Sequence, residues 1–145
     1  MTTASSGGFI TNQEWFRSEI KEDVVLRGVS ALECLGMFDG YMDEVGIDVY
    51  ALEKGEYANI DYRIIGDFDE IESVKVFGLR CTSERQTIND LLSEYWEADP
   101  QPLVEALNLY YQAHGMSFDG LDIEPGNIDA FEDASRWAIE YYSEG

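Results

Sequence analysis

The hydrophobic pattern of this chain changes period near Ser83, and that change decides the fold class. Downstream of Ser83, apolar residues recur at intervals of three and four, which indicates an amphipathic helix; they are Ile88, Leu91, Leu92 and Tyr95. Upstream, apolar and polar residues alternate as they do in half-buried β-strands. The alternating segments are 47–52, 57–65 and 71–79. Strands followed by helices indicate an α+β fold.

Helices are also predicted ahead of the three strands. Thr11 and Ser30 each stand three residues before a glutamate, which is the capping-box pattern, and they predict helices over 11–20 and 31–35. Between these helices, the apolar residues 24–26 predict a brief strand.

Three helices are predicted in the second half of the chain. Ser83 is the expected N-cap of the first, with Gln86 at the capping-box position. The second begins at Asp99-Pro100 and ends at Gly115, because proline suits the first turn and glycine the end of a helix. The third has an apolar face made of Phe131, Ala134, Ala138 and Tyr141.

Turn residues at Lys54-Gly55 and Gly66-Asp67 connect the three alternating segments. Short connections favour antiparallel neighbours. We therefore expect an α+β fold with a small, largely antiparallel sheet of three to four strands and with helices before and after it. Residues 1–10 are expected to form a flexible N-terminal tail and residues 11–145 a single domain.

Charge is the unusual part of the composition. Thirty acidic residues face nine basic ones, giving a formal net charge of -21. The excess is greatest after Arg85, where 13 acids face a single base, Arg136. Such a field repels nucleic acid and anionic lipid, so we expect neither as a direct partner. The charge indicates either a soluble surface or a surface for a basic protein.

The remaining bulk features favour a bacterial cytoplasmic protein. No segment reaches the run of about 18 apolar residues that a membrane helix requires. The polar start of the chain lacks the basic and apolar regions of a signal peptide. Cys34 and Cys81 both have apolar neighbours, which is typical of buried free thiols in a reducing compartment.

Motifs for catalysis, cofactors or metals are not recognisable in the sequence. His114 is the single histidine, and no zinc spacing or nucleotide-binding glycine loop is present. The carboxylates of the loop 119–129 offer oxygen ligands, but their spacing differs from that of a calcium-binding EF-hand. We therefore predict no catalytic residue, no cofactor and no metal site.

Aromatic residues and carboxylates are interleaved in the second half, which is the composition of a protein-binding surface. Adjacent tyrosines lie about 100° apart on a helix, so not all of them face inward; equally, tyrosines could simply cover the edges of the core. The predicted partner-binding residues are Arg85, Asp90, Tyr110, Tyr111, Asp119, Asp122, Glu124, Asp129, Glu132, Asp133 and Tyr141.

Two segments carry a resemblance to a known family. Residues 25–36 are similar to a strand followed by a Ser-Ala-Leu-x-x-x-Gly helix, and residues 79–92 to a Thr-Ser-Pro-Glu-Arg-Thr-Leu-x-Asp-Leu-Leu unit, here without its proline. In this order they resemble the C-terminal domain of AbiEi-type antitoxins of bacterial type IV toxin–antitoxin systems. The resemblance covers residues 24–115.

The resemblance implies a role in phage defence through a protein partner, a nucleotidyltransferase-like toxin. Family members usually carry a winged helix that binds DNA ahead of this domain, and the residues before Val24 are too few to form one. We therefore expect a non-catalytic, antitoxin-like or regulatory interaction domain. One alternative is a DNA-mimic inhibitor of the anti-restriction or anti-CRISPR type. A lesser alternative is a metal-binding or carboxylate-dependent enzyme that uses the loop 119–129.

Overall fold

The computed structural model describes residues 23–37, 47–56, 60–76 and 78–142. The predicted tail at 1–10 and the predicted helix at 11–20 lie outside the described residues. Within them, the fold is α+β, as expected, with one sheet and four α-helices.

Five strands form a mixed sheet in the order β3-β2-β1-β5-β4. The pairs β1–β2 and β4–β5 are antiparallel, whereas β1–β5 and β2–β3 are parallel. The predicted brief strand at 24–26 is confirmed as β1 and lies at the centre of the sheet. The strands are β1 (Val24–Leu26), β2 (Ile47–Ala51), β3 (Ile60–Ile64), β4 (Ser73–Val76) and β5 (Leu79–Thr82).

The prediction of a largely antiparallel sheet of three to four strands is wrong in two details. First, β2 and β3 are consecutive yet parallel, with Ile47 opposite Ile60. An extended chain covers about 3.3 Å per residue, so residues 52–59 are long enough to return past a five-residue strand. Connection length alone therefore did not exclude the parallel arrangement.

Second, the segment 71–79, predicted as one strand, contains a turn. It divides between β4 and β5, which pair with Val74 opposite Cys81 and Val76 opposite Leu79. Gly78 has φ of +85°, a backbone conformation that glycine adopts readily. The alternation of Val74 and Val76 changes phase at Phe77-Gly78 and resumes at Leu79 and Cys81, so the glycine and the phase change were the local signals of the turn.

The four helices are α1 (Gly28–Cys34), α2 (Glu84–Ser93), α3 (Gln101–Ala113) and α4 (Ile128–Tyr142). The Ser83 cap of α2 is confirmed, because its Oγ accepts the Gln86 N–H at 3.1 Å. The Ser30 cap is wrong: α1 begins at Gly28, and the Ser30 Oγ accepts the backbone N–H of Asp48 at 3.0 Å. The side chain of Ser30 thus joins α1 to β2.

The core has two adjoining parts, and α1 contributes to both. Ala31 and Cys34 of α1 pack with the sheet residues Leu26, Val49 and Cys81. Leu32 instead packs among the apolar residues of the other helices, which are Ile88, Leu92, Leu103, Leu107, Ala134 and Ala138. Because these contacts lie on different sides of one short helix, α1 connects the sheet to the helical half.

Both cysteines are buried and reduced, as the sequence indicated. Among the described residues, no helix is long and apolar enough to cross a membrane.

Candidate functional site

A buried arginine follows β1 and contacts three carboxylates from two other parts of the chain. Arg27 is only 1% exposed. Its Nη1 donates to Asp48 Oδ2 at 2.6 Å and its Nη2 to Glu94 Oε2 at 3.1 Å, while Nε lies 3.9 Å from Asp90 Oδ2. We call Arg27, Asp48, Tyr50, Asp90 and Glu94 the arginine cluster. It links β1 to β2 and to the C-terminal part of α2.

Further hydrogen bonds close the arginine cluster. The ring of Tyr50 lies 5.0 Å from the Arg27 guanidinium carbon, and its hydroxyl donates to Asp90 Oδ2 at 2.9 Å. Arg63 of β3 donates to Glu94 Oε2 at 2.8 Å. Glu94 therefore joins two arginines, one buried and one half-exposed.

Burial perturbs the protonation equilibria of the arginine cluster. Burial by itself lowers the pKa of Arg27, but Asp48, Tyr50 and Glu94 raise it overall, so the guanidinium stays charged. Burial raises the pKa of both Asp48 and Asp90, and this effect exceeds the opposing attraction of Arg27. The buried Arg27 Nε and Asp48 Oδ1 have no hydrogen-bond partner. For Asp48 and Asp90, the loss of hydration therefore raises the carboxyl pKa by more than the attraction of Arg27 lowers it.

Gly28 makes room for this arrangement. Its φ is +57°, and a Cβ at this position would stand 3.1 Å from Asp48 Oδ2. Any larger residue would therefore adopt a strained backbone and also crowd the carboxylate that Arg27 binds.

The arginine cluster fixes the residue that precedes two aromatic side chains, Tyr95 and Trp96. Tyr95 is 7% exposed, and its hydroxyl donates to Asp133 Oδ2 of α4 at 2.6 Å. Burial, followed by this hydrogen bond, raises the pKa of Tyr95 to about 12, so the hydroxyl keeps its proton at neutral pH. Tyr95 thereby joins the end of α2 to the middle of α4.

Each of the two residues in this contact has an exposed tryptophan near it in the chain. The Trp96 ring meets the Tyr95 ring edge-on at 4.8 Å and is 68% exposed. Trp137 is 51% exposed and follows Asp133 by one helical turn, on the same face of α4. We call Tyr95, Trp96, Asp133 and Trp137 the tryptophan surface. Exposed carboxylates neighbour it in the chain: Glu97, Asp99, Asp129, Glu132 and Glu140.

Some of the predicted partner-binding residues face inward. Asp90 belongs to the arginine cluster, where it accepts hydrogen bonds from Tyr50 and Gln86. Tyr110 is 4% exposed; it stacks on His114 and donates to the Asp119 carbonyl at 2.7 Å. Neither side chain is accessible to a partner. Of the adjacent tyrosines 110 and 111, the sequence could not tell which one faces the core.

The other predicted residues lie at or near the surface. Arg85 pairs with Asp122, with Nε and Oδ2 3.1 Å apart. Tyr111 is half-buried against Phe118, with ring centroids 4.9 Å apart. Asp133 belongs to the tryptophan surface, and Tyr141 ends in the last turn of α4, where its side chain lies outside the described residues. Five of them have exposed carboxylates: Asp119, Asp122, Glu124, Asp129 and Glu132.

Sequence reasoning missed the arginine cluster and did not select the two exposed tryptophans. Nothing marks Arg27 as buried, since it follows a three-residue strand and has no acidic neighbour in the chain. Trp96 and Trp137 were visible as aromatic residues of the acidic half, but their exposure depends on how α2 and α4 pack together.

Two observations on the described residues concern metal ions and small molecules. They contain no group of three or more histidine, cysteine or acidic side chains placed to hold a metal ion. In the loop 119–129, the carboxylate of Asp122 is paired with Arg85. A cleft of about 360 Å³ lies at the start of β1 and the end of β2, at the opposite end of β1 from Arg27; it is lined by Asp23, Val24 and residues 52–56.

No protein-family model matches the chain, and no curated protein matches it significantly.

Replacing Arg27 tests whether the arginine cluster holds the fold. Arg27→Met leaves the partly buried carboxylates of Asp48 and Asp90 without their counter-ion, while Glu94 keeps Arg63, and should lower the free energy of unfolding by about 3 kcal/mol. Arg27→Lys should have a smaller effect, since an ammonium keeps the charge but not the forked geometry. Urea denaturation followed by circular dichroism measures both.

Arg63→Met is the matched control, because Arg63 binds Glu94 from a half-exposed position. It should cost about 1 kcal/mol or less. Equal losses for Arg27→Met and Arg63→Met would contradict a special role for the buried guanidinium.

The raised carboxyl pKa values predict a pH dependence of stability. A carboxyl whose pKa is higher in the folded state than its ordinary value of 3.8 binds its proton more tightly when folded. Its stabilising contribution is therefore complete at a pH below 3.8 and is lost as the pH rises through the folded-state pKa. Asp48→Asn and Asp90→Asn should each flatten the decline in unfolding free energy as the pH rises above about 4.

These measurements use moderate salt, because salt screens repulsion among the surface carboxylates. Asp69→Asn, at an exposed position, is the control and should leave the slope unchanged. Parallel pH profiles for the wild type and both cluster variants would show that Asp48 and Asp90 titrate normally.

Proposed function

We propose that this chain is a non-catalytic protein-interaction domain, antitoxin-like or regulatory, that acts through the acidic surface of its C-terminal helices on a basic protein partner. The observation that carries the proposal is the tryptophan surface. Large exposed tryptophans are costly to leave in water and are enriched at the centres of protein interfaces.

Charge supports a basic partner. After Arg85, Arg136 is the single base, and its Nη1 lies 3.4 Å from Asp133 Oδ1. The exposed side of α4 otherwise carries carboxylates at Asp129, Glu132 and Glu140. Such a surface accelerates encounter with a positively charged protein and repels acidic ones.

The type of partner comes from the family resemblance. AbiEi-type antitoxins neutralise a nucleotidyltransferase-like toxin, and proteins that handle nucleic acid commonly have basic surfaces. We therefore propose that the partner is a protein of this class and that the complex forms in the cytoplasm. We propose no direct contact of this chain with nucleic acid or with a membrane.

The proposal is tested by isolating the partner from the host of this chain and reconstituting the complex from purified proteins. We expect a stoichiometric complex whose affinity falls as salt rises. Neutralising Asp129 and Glu132 together, as Asp129→Asn and Glu132→Gln, should weaken binding roughly threefold or more, mainly through a slower association rate. Surface plasmon resonance measures both quantities.

The matched control neutralises one glutamate and one aspartate elsewhere, as Glu53→Gln and Asp69→Asn, both at exposed positions. It should bind like the wild type. A wild-type chain that forms no purified complex, or one that binds no better than the α4 variant, would refute the proposal. If duplex DNA competes with this chain for the partner, the DNA-mimic alternative gains support over toxin neutralisation.

A further inference from the structure

We propose that the tryptophan surface is an arginine-binding site, which receives an arginine-bearing segment of the protein partner between Trp96 and Trp137. This inference rests on the proposed function and specifies the chemistry that the partner presents. It gives the exposed rings of Trp96 and Trp137 a role in binding, which the negative charge of the surface alone does not explain.

The geometry places rings and carboxylates together. Tyr95 contacts Trp96 through its ring and Asp133 through its hydroxyl, so one buried side chain fixes the position of both. Trp137 stands one turn beyond Asp133 on α4. Asp133 is about one-third exposed; Tyr95 donates to its Oδ2 at 2.6 Å and Arg136 Nη1 donates to its Oδ1 at a long 3.4 Å. An incoming guanidinium would therefore share or replace the weak contact that Arg136 makes at Oδ1.

Arginine is the side chain that fits such a surface best. A guanidinium group stacks flat on an indole ring and at the same time donates in-plane hydrogen bonds to carboxylates. The chain itself uses this chemistry elsewhere: the Arg80 guanidinium carbon lies 4.7 Å from the Phe68 ring centroid, and Arg27 covers Tyr50 while binding carboxylates. Lysine, a compact and strongly hydrated point charge, stacks less well.

Other occupants are electrostatically unfavourable. A second copy of this chain would bring two molecules of net charge -21 together at their acidic halves. A neutral apolar segment would bury Asp133 and its neighbouring carboxylates without a counter-charge, which is costly. A cationic segment satisfies the rings and the carboxylates at once.

The test uses nuclear magnetic resonance of the full chain with two synthetic peptides of equal length and charge, one containing arginine and one containing lysine. The chain has three tryptophans, so it gives three indole N–H signals. Trp96→Phe and Trp137→Phe assign the signals of those two residues. We expect both to shift on adding the arginine peptide, and to shift less on adding the lysine peptide.

Variants make the result quantitative. Trp96→Ala and Trp137→Ala should each lower affinity for the arginine peptide roughly three- to thirtyfold, the range of cation–π contributions from exposed to desolvated rings. Val74→Ala removes an exposed apolar side chain from the edge strand β4 and should leave affinity unchanged. Circular dichroism confirms that each variant is folded.

Two results would overturn the inference. One is equal binding of the two peptides. The other is a loss of affinity for the arginine peptide in the charge-neutralised α4 variant (Asp129→Asn with Glu132→Gln) without any loss in Trp96→Ala or Trp137→Ala. Either would leave a surface that recognises charge alone, so the proposed basic partner would survive while the arginine site would not. Failure of the reconstituted complex, by contrast, counts against the proposed function itself.

Discussion

The buried guanidinium of Arg27 is the interaction on which the arrangement of sheet and helices depends. It lies where β1 passes into α1 and binds Asp48 of β2 and Glu94 at the end of α2. An ion with so little exposure is retained only when several partners compensate for the lost hydration. Here the compensation comes from elements far apart in the sequence, so the cluster forms only when the sheet and α2 dock correctly.

This dependence extends from the core to the surface. Glu94 immediately precedes Tyr95, which reaches α4 through Asp133, and Trp96, which projects into solvent. Arg27 is thus connected to the tryptophan surface through its ion pair with Glu94, the backbone from Glu94 to Tyr95, and the hydrogen bond of Tyr95 with Asp133. The buried cluster supplies rigidity, and the exposed rings supply the binding energy that we attribute to the surface.

Local patterns predicted the elements well and their arrangement less well. The α+β class, the Ser83 cap and the apolar faces of the C-terminal helices follow from residues close in sequence, and the structure confirms them. The parallel pairing of β2 with β3 depends on tertiary packing, which alternation does not encode, whereas the turn at Gly78 has a local signal in the glycine itself that a one-strand interpretation overlooked. The cluster around Arg27 could not be predicted, because its partners are 21 and 67 residues away. Likewise, composition identified the acidic half but not which of its aromatic side chains are exposed.

Hydrogen exchange at the end of α2 tests the link between the arginine cluster and the surface most directly. The amides of Glu94 and Tyr95 donate to the carbonyls of Leu91 and Leu92. If Arg27 fixes this turn, Arg27→Lys should accelerate exchange at residues 94–97 by a larger factor than it accelerates exchange of the α4 amides around Ala134, because local opening of the turn becomes easier in addition to the modest loss of global stability. Unchanged exchange at residues 94–97, or the same acceleration in both regions, would contradict the account.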